Sequence, residues 1–160
     1  MNHQYFLQRT IHLAQESIEQ GGGPFAAIIV NQHGDILGVG QNSVTKKNDP
    51  SAHAEVEAIR QACAKLDSFQ LENCTLYTSC EPCPMCLGAI YWARPSAVYY
   101  AADQKDAAAV GFDDAFIYEE IEKDYPSRSI PFHTLSLNYL CNVYYFLLLY
   151  FYIFFEKIVL

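Results

Sequence analysis

His53 and Glu55, two residues apart, and Cys83 and Cys86, which begin thirty residues after His53, are the side chains of this chain best suited to chemistry. Zinc prefers a tetrahedral shell of imidazole nitrogen and thiolate sulfur. Four protein ligands make a closed structural site, whereas three leave a position for a reacting water. His53, Cys83 and Cys86 make three. Water held there loses a proton near neutral pH, which supplies a hydrolytic nucleophile without strong base in solution. Attack on a ring carbon bearing an amino group also needs protons carried to the neighbouring ring nitrogen and to the departing amine, work for a carboxylate that cycles between base and acid. Glu55, beside His53 and not needed as a ligand, fits that role.

A lone His-x-Glu pair arises by chance on surface helices, and a lone Cys-x-x-Cys reads equally as a redox pair. Together they form one site, and its main competitor is a closed one. Cys80 could join His53, Cys83 and Cys86 and complete a four-ligand structural module with no chemistry. Pro82 stands against this, because Cys80 ends a strand before a proline-led helix and need not share a face with the other two. Cys63 reads as the core of its helix and Cys74 as strand, neither needing a function.

The elements that must position these residues follow from periodicity. Leu7, Ile11, Ala14 and Ile18 mark an amphipathic first helix, ended by Gly21-Gly22-Gly23-Pro24. Ala26 to Val30 and Ile36 to Asn42 flank turn residues and read as a hairpin. Asp49-Pro50-Ser51 offers the start of a helix whose buried stripe is Val56, Ile59, Cys63 and Leu66, with His53 and Glu55 in its first turns. Thr75 to Ser79 is the next strand. Pro82 opens a helix to about Ala93, with Cys83 and Cys86 on one face of its first turn. Ala97 to Ala101 is a further strand. This alternation implies a largely parallel sheet in which helix N-termini gather beyond the carboxyl ends of the strands, where their dipoles favour thiolates.

At 160 residues with 51% hydrophobic content, the chain suits one domain with a proper core. Its formal net charge is −8, and neither half carries a basic patch. Nucleic-acid binding draws on Lys and Arg against phosphate, so the balance favours a small substrate over a polynucleotide. The acidic run Asp113, Asp114, Glu119, Glu120, Glu122 and Asp124 reads by default as a solvated face. Cysteines spent on metal, with no signal-peptide pattern in Met1 to Thr10, indicate a reducing cytoplasm.

Among other polar and aromatic residues, Asn42 sits where it could hydrogen-bond a base edge, although an ordinary turn asparagine reads as well. Asp113 and Asp114 could pair with purine donors. Phe25, Tyr91, Trp92 and Phe112 could stack a planar base, where core is the default for aromatics.

The order His-x-Glu followed by Pro-Cys-x-x-Cys is the signature of zinc deaminases acting on nucleobases. Around it, Ser51 to Val56 and Tyr77 to Arg94 closely resemble bacterial guanine deaminases of the cytidine-deaminase-like fold. The likeness continues through Gly22 to Phe25, Gln41-Asn42, Asn48 to Pro50 and Gly111 to Asp114. It implies a three-layer α/β/α fold with a central mixed five-stranded sheet flanked by helices, over residues 1–137. It also implies a dimeric cytosolic enzyme of purine catabolism that hydrolyses guanine to xanthine and ammonia. On this likeness one zinc per chain is held by His53, Cys83 and Cys86, and Glu55 is the proton shuttle. Asn42 and Asp114 contact the purine, with Phe25 and Trp92 near the pocket. A tRNA adenosine deaminase has nearly the same zinc motif but calls for a basic surface that this chain lacks.

After Leu137 the resemblance stops, and residues 138–160 form an atypical hydrophobic tail where relatives carry a polar one exchanged between subunits. Val143 to Phe155 reads VYYFLLLYFYIFF, with no charge and eight Tyr or Phe. Three accounts compete. Such composition is what AT-rich codons give in a shifted reading frame. Thr134 to Phe155 is uncharged for twenty-two residues, near the roughly 20 that span a bilayer, though Ser136, Asn138 and Asn142 weaken an anchor. The third account is a buried or swapped segment. Exposed, the tail would be an aggregation hazard.

Overall fold

The computed structural model describes residues 1–135 and 140–154. The chain divides into two units, Met1–Glu119 and Glu120–Leu160, and the boundary expected between 137 and 138 lies outside the described residues. In chain order the elements are α1 (His3–Glu19), β1 (Ala26–Asn31), β2 (Ile36–Gln41), the short α2 (Val44–Lys47), α3 (Ala54–Leu66) and β3 (Cys74–Cys80). There follow α4 (Pro84–Ala93), β4 (Ala97–Ala102), α5 (Gln104–Ala109), α6 (Ala115–Glu122) and α7 (Leu140–Phe154). Asn31 builds the hairpin turn: its side-chain oxygen accepts from the amides of His33 and Asp35, each at 2.9 Å.

The strand order is β2-β1-β3-β4, with β1 antiparallel to both neighbours and β3 parallel to β4. Two expectations are corrected. The sheet has four strands among the described residues, not five. The chain leaves β4 directly into α5, where Asp103 and Asp106 form a capping box, and Pro126 and Pro131 interrupt any later ladder. The sheet is mixed but not largely parallel, because β1 lies between β2 and β3. Both of those run antiparallel to β1 and hence in the same direction, so α3, after β2, and α4, after β3, still start at the same end of the sheet.

On one face of the sheet Ile28, Val30 and Tyr77 pack with Phe6 of α1. On the other, Ala27, Ile29 and Leu76 pack with Ala54, Ala58 and Ala62 of α3 and with Ile90 and Ala93 of α4. Each fully buried Ile or Leu here contributes about 1.5–3 kcal/mol. Two expected stripes are rotated. In α1 the buried face is Phe6, Thr10, Ala14 and Ser17, while Ile11 and Ile18 are exposed; Thr10 can be buried because its hydroxyl donates to the Leu7 carbonyl at 2.7 Å. In α3 the buried face is Ala54, Glu55, Ala58 and Ala62, and Leu66 is exposed, because small residues let that helix lie against the sheet backbone. The second cysteine helix begins at Pro84 with Cys83 as its N-cap, not at Pro82.

In the second unit Arg128 lies over the rings of Tyr125 and Phe132, at 4.3 Å and 5.4 Å from their centroids. Glu120 accepts from Lys123 Nζ at 2.6 Å and from the Ser129 amide at 2.8 Å. Val143 to Phe151 of α7 are all exposed apolar or aromatic residues. Among the described residues no helix is long and apolar enough to cross a membrane.

Candidate active site

The close approach of α3 to β2 sets the site. A Cβ at Gly40 would lie 1.9 Å from the Ala54 carbonyl oxygen, and one at Gly38 would lie 2.2 Å from that of Ala58. Only glycine permits this contact, and it seats the start of α3 at the sheet end where α4 also begins. His53 and Cys83 are the N-caps of the two helices, both in extended backbone, and neither side chain makes a capping bond. The two side chains approach each other.

His53 Nδ1 lies 3.5 Å from Cys83 Sγ and 3.6 Å from Cys86 Sγ. Zinc bonded at about 2.1 Å to nitrogen and 2.3 Å to sulfur at tetrahedral angles needs a nitrogen–sulfur separation of about 3.6 Å. The ligand atoms of the three residues all fall within 4.8 Å of one another, so the donor set fits the metal. The bond from Cys86 is the main cause that lowers the Cys83 pKa to about 4, and a helix N-terminus favours thiolate there too. That same bond and burial push Cys86 up. The Cys83 partner raises His53.

Cys80 does not join the cluster. Its Sγ faces the Asp103 carbonyl at 3.8 Å, and burial pushes its pKa up to about 11. The closed four-ligand reading thus loses its fourth ligand.

Glu55, in the first turn of α3, is 6% exposed. Its Oε1 accepts from the Thr78 hydroxyl at 3.0 Å and its Oε2 from the Cys86 thiol at 3.4 Å. Burial raises its pKa, a state suited to a group that must take and give protons. Thr78 went unrecognised in the sequence. Its one signal is a polar residue in the Leu76-Thr78-Cys80 alternation of β3, on the face that meets α3.

A cavity of about 650 Å³ opens over His53, Glu55 and Cys83 and is lined also by Phe25, Asn42, Phe112, Asp113 and Asp114. The structure thus gathers most of the expected site. Asn42 Oδ1 accepts from the Val44 amide at 3.3 Å, which leaves its amide hydrogens for a ligand. Phe25 and Phe112 meet edge to face at 5.0 Å. Asp114 departs from the solvated-face reading, since it lines the cavity and accepts from Gln104 Nε2 at 2.8 Å. Trp92 is 64% exposed on α4 and, like Tyr91, does not line the cavity of its own chain. The reason is the α4 register, which turns Cys86, Ile90 and Ala93 inward.

Comparison with known proteins agrees with this geometry. Residues 1–102 match the family described as cytidine and deoxycytidylate deaminase zinc-binding region. Guanine deaminase of Bacillus subtilis strain 168 is 61% identical over 139 residues, which cover 86% of this chain and 88% of that protein. The X-ray structure of guanine deaminase from Bacillus subtilis matches with a TM-score of 0.88 at 57% identity, covering 92% of this chain and 94% of the other. The tRNA-specific adenosine deaminase of Aquifex aeolicus strain VF5 is 40% identical over 111 residues, covering 69% of this chain and 73% of that one.

Proposed function

The chain belongs to the cytidine and deoxycytidylate deaminase zinc-binding family, and on that premise we propose that it is a guanine deaminase, hydrolysing guanine to xanthine and ammonia. The observation that carries this reading is the fitted His53, Cys83 and Cys86 donor set beside buried Glu55, in a cavity roomy enough for a bicyclic base. The likeness to guanine deaminase selects the base. The net charge of −8 weighs against a tRNA substrate.

Zinc held by His53, Cys83 and Cys86 supplies Lewis acidity that makes a water reactive near neutral pH. Glu55 moves the protons. Held through Oε1 by Thr78, it takes one as water adds to the ring carbon bearing the amine and passes it to the adjacent ring nitrogen. It then takes the remaining proton from the hydroxyl now on that carbon and delivers it to the amine, so that the carbonyl forms as the C–N bond breaks and ammonia leaves. Asn42 donates to purine acceptors, Asp114 accepts from purine N–H groups, and Phe25 packs against the ring.

We place the deaminase domain at 1–137 and the tail at 138–160, where the uncharged aromatic run of Val143 to Phe155 supports a change in the character of the chain. The working form is a homodimer, a reading supported by the apolar outer face of α4, where Tyr91 is 75% exposed beside Trp92 and Leu87. The free thiols of Cys63, Cys74 and Cys80 support a cytoplasmic location.

The test is ammonia release from guanine by the zinc-loaded full-length protein. Glu55→Ala is expected to lower kcat by about 10²–10⁴-fold while keeping its zinc. No release from a folded chain holding one zinc, or deamination of adenosine in tRNA instead, would overturn the reading.

A further inference from the structure

Gln104 opens α5 and makes two bonds that join otherwise separate parts of the cavity. Its backbone N–H donates to Glu81 Oε2 at 3.0 Å, and its side-chain Nε2 donates to Asp114 Oδ1 at 2.8 Å. Glu81 directly precedes the Pro82-Cys83 segment, and its own amide donates to the Ala102 carbonyl at 2.8 Å. All three residues are half-buried and line the cavity. The start of α5 is fixed, because Asp103 and Asp106 cap it reciprocally. The loop that carries Phe112 and Asp114 is less constrained. Its backbone bonds run back into α5, from Val110, Gly111 and Phe112 to Ala107 and Ala108, and its Asp113 and Asp114 begin α6.

A carboxylate on such a loop reaches a defined position only if one of its oxygens is tied to something rigid. We propose that Gln104 is a positioning residue for substrate: its amide holds Asp114 Oδ1 so that the second oxygen is presented to donor groups of the bound base. Glu81 sets Gln104 from the strand end that also delivers the zinc cysteines, so the metal side and the recognition side of the cavity are aligned through one glutamine. The role rests on the guanine reading, because guanine supplies the N–H donors that Asp114 accepts. A glutamate at 104 would keep the backbone bond to Glu81 but lose the donor and set a like charge against Asp114.

The test uses the zinc-loaded full-length protein and has a readout independent of any substrate. In Gln104→Ala, amide hydrogen exchange across residues 110–115 should quicken about tenfold, with zinc content unchanged. The KM for guanine should rise about tenfold or more, the scale of one lost hydrogen bond to a charged group, with kcat changed far less. Gln104→Glu should be worse than Gln104→Ala. In a double-mutant cycle, Gln104→Ala should add no further loss to Asp114→Ala. Unchanged exchange, or losses that simply add, overturns the proposal. If exchange responds while wild-type protein releases no ammonia from guanine, the clamp stands and the guanine reading falls.

Discussion

Replacing Gly40 by alanine should loosen the metal from the protein without touching a ligand. The added Cβ would lie 1.9 Å from the Ala54 carbonyl oxygen and 2.6 Å from the Ala58 amide nitrogen, where ordinary contact begins at 3.4 Å. Both neighbours are backbone of α3 and cannot rotate away, so the first turn of that helix must withdraw by about 1.5 Å. That turn carries Glu55 and follows directly on His53. Metal–ligand distances tolerate about 0.2 Å, so His53 cannot keep its 3.5 Å separation from Cys83. Zinc affinity is expected to fall by about 100-fold, and the fold to lose about 1–3 kcal/mol through overpacking. Gly38→Ala, with its clash against Ala58 one turn further along α3, should cost similar stability with a smaller effect on zinc. Gly88→Ala is the control of opposite sign. It lies inside α4 with nothing within 4 Å of its Cβ position, so alanine should stabilise the helix by about 0.5–1 kcal/mol. Competition titration with a chromogenic zinc chelator and thermal unfolding read all three. A Gly40→Ala protein with the zinc affinity and Tm of wild type would refute the argument that glycine sets the α3–sheet distance.

Other outcomes follow from single features. Cys80→Ala should keep one zinc per chain by metal analysis, since Cys80 faces Asp103 and not the cluster; loss of the metal would restore the closed structural site. The Glu120 carboxyl, held to about 2 first by Lys123 and then by Ser129, lies below its unfolded value near 4.5. Its contribution to stability is present above pH about 4.5 and lost as pH falls through about 2. Carbon-detected NMR titration should show that midpoint, and Lys123→Ala should move it toward 4.5; an unmoved midpoint would contradict the pairing. Tyr145 and Phe146 are 73% and 72% exposed on α7, so changing both to lysine should raise the soluble fraction on expression. An unchanged fraction would show that another part of the chain drives association.

The ways in which reading and structure differ share a cause. The expected stripes are Leu7, Ile11, Ala14 and Ile18 in α1 and Val56, Ile59, Cys63 and Leu66 in α3, yet the buried faces are Phe6, Thr10, Ala14 and Ser17, and Ala54, Glu55, Ala58 and Ala62. Thr10 satisfies its own hydroxyl locally, and alanines go inward where two glycines bring a helix onto a strand. Such choices depend on the facing element, which hydrophobic periodicity within one segment does not contain. Strand direction behaved likewise: alternation of strands and helices placed both helix starts at one end of the sheet, but not the insertion of β1 between β2 and β3.

The sequence by itself determined the metal donors, the carboxylate beside them, the hairpin and the four strand segments. These are short-range facts: a helix turn places residues three or four apart on one face whatever surrounds it, and ligand chemistry restricts which residue types bind zinc. Only the tertiary structure decided that Thr78 holds Glu55, that Gln104 holds Asp114, that Phe112 rather than Trp92 faces the cavity, and that Cys80 stands apart. Those relations join segments far apart in the chain, and their distances are set by how whole layers pack, which no local spacing encodes.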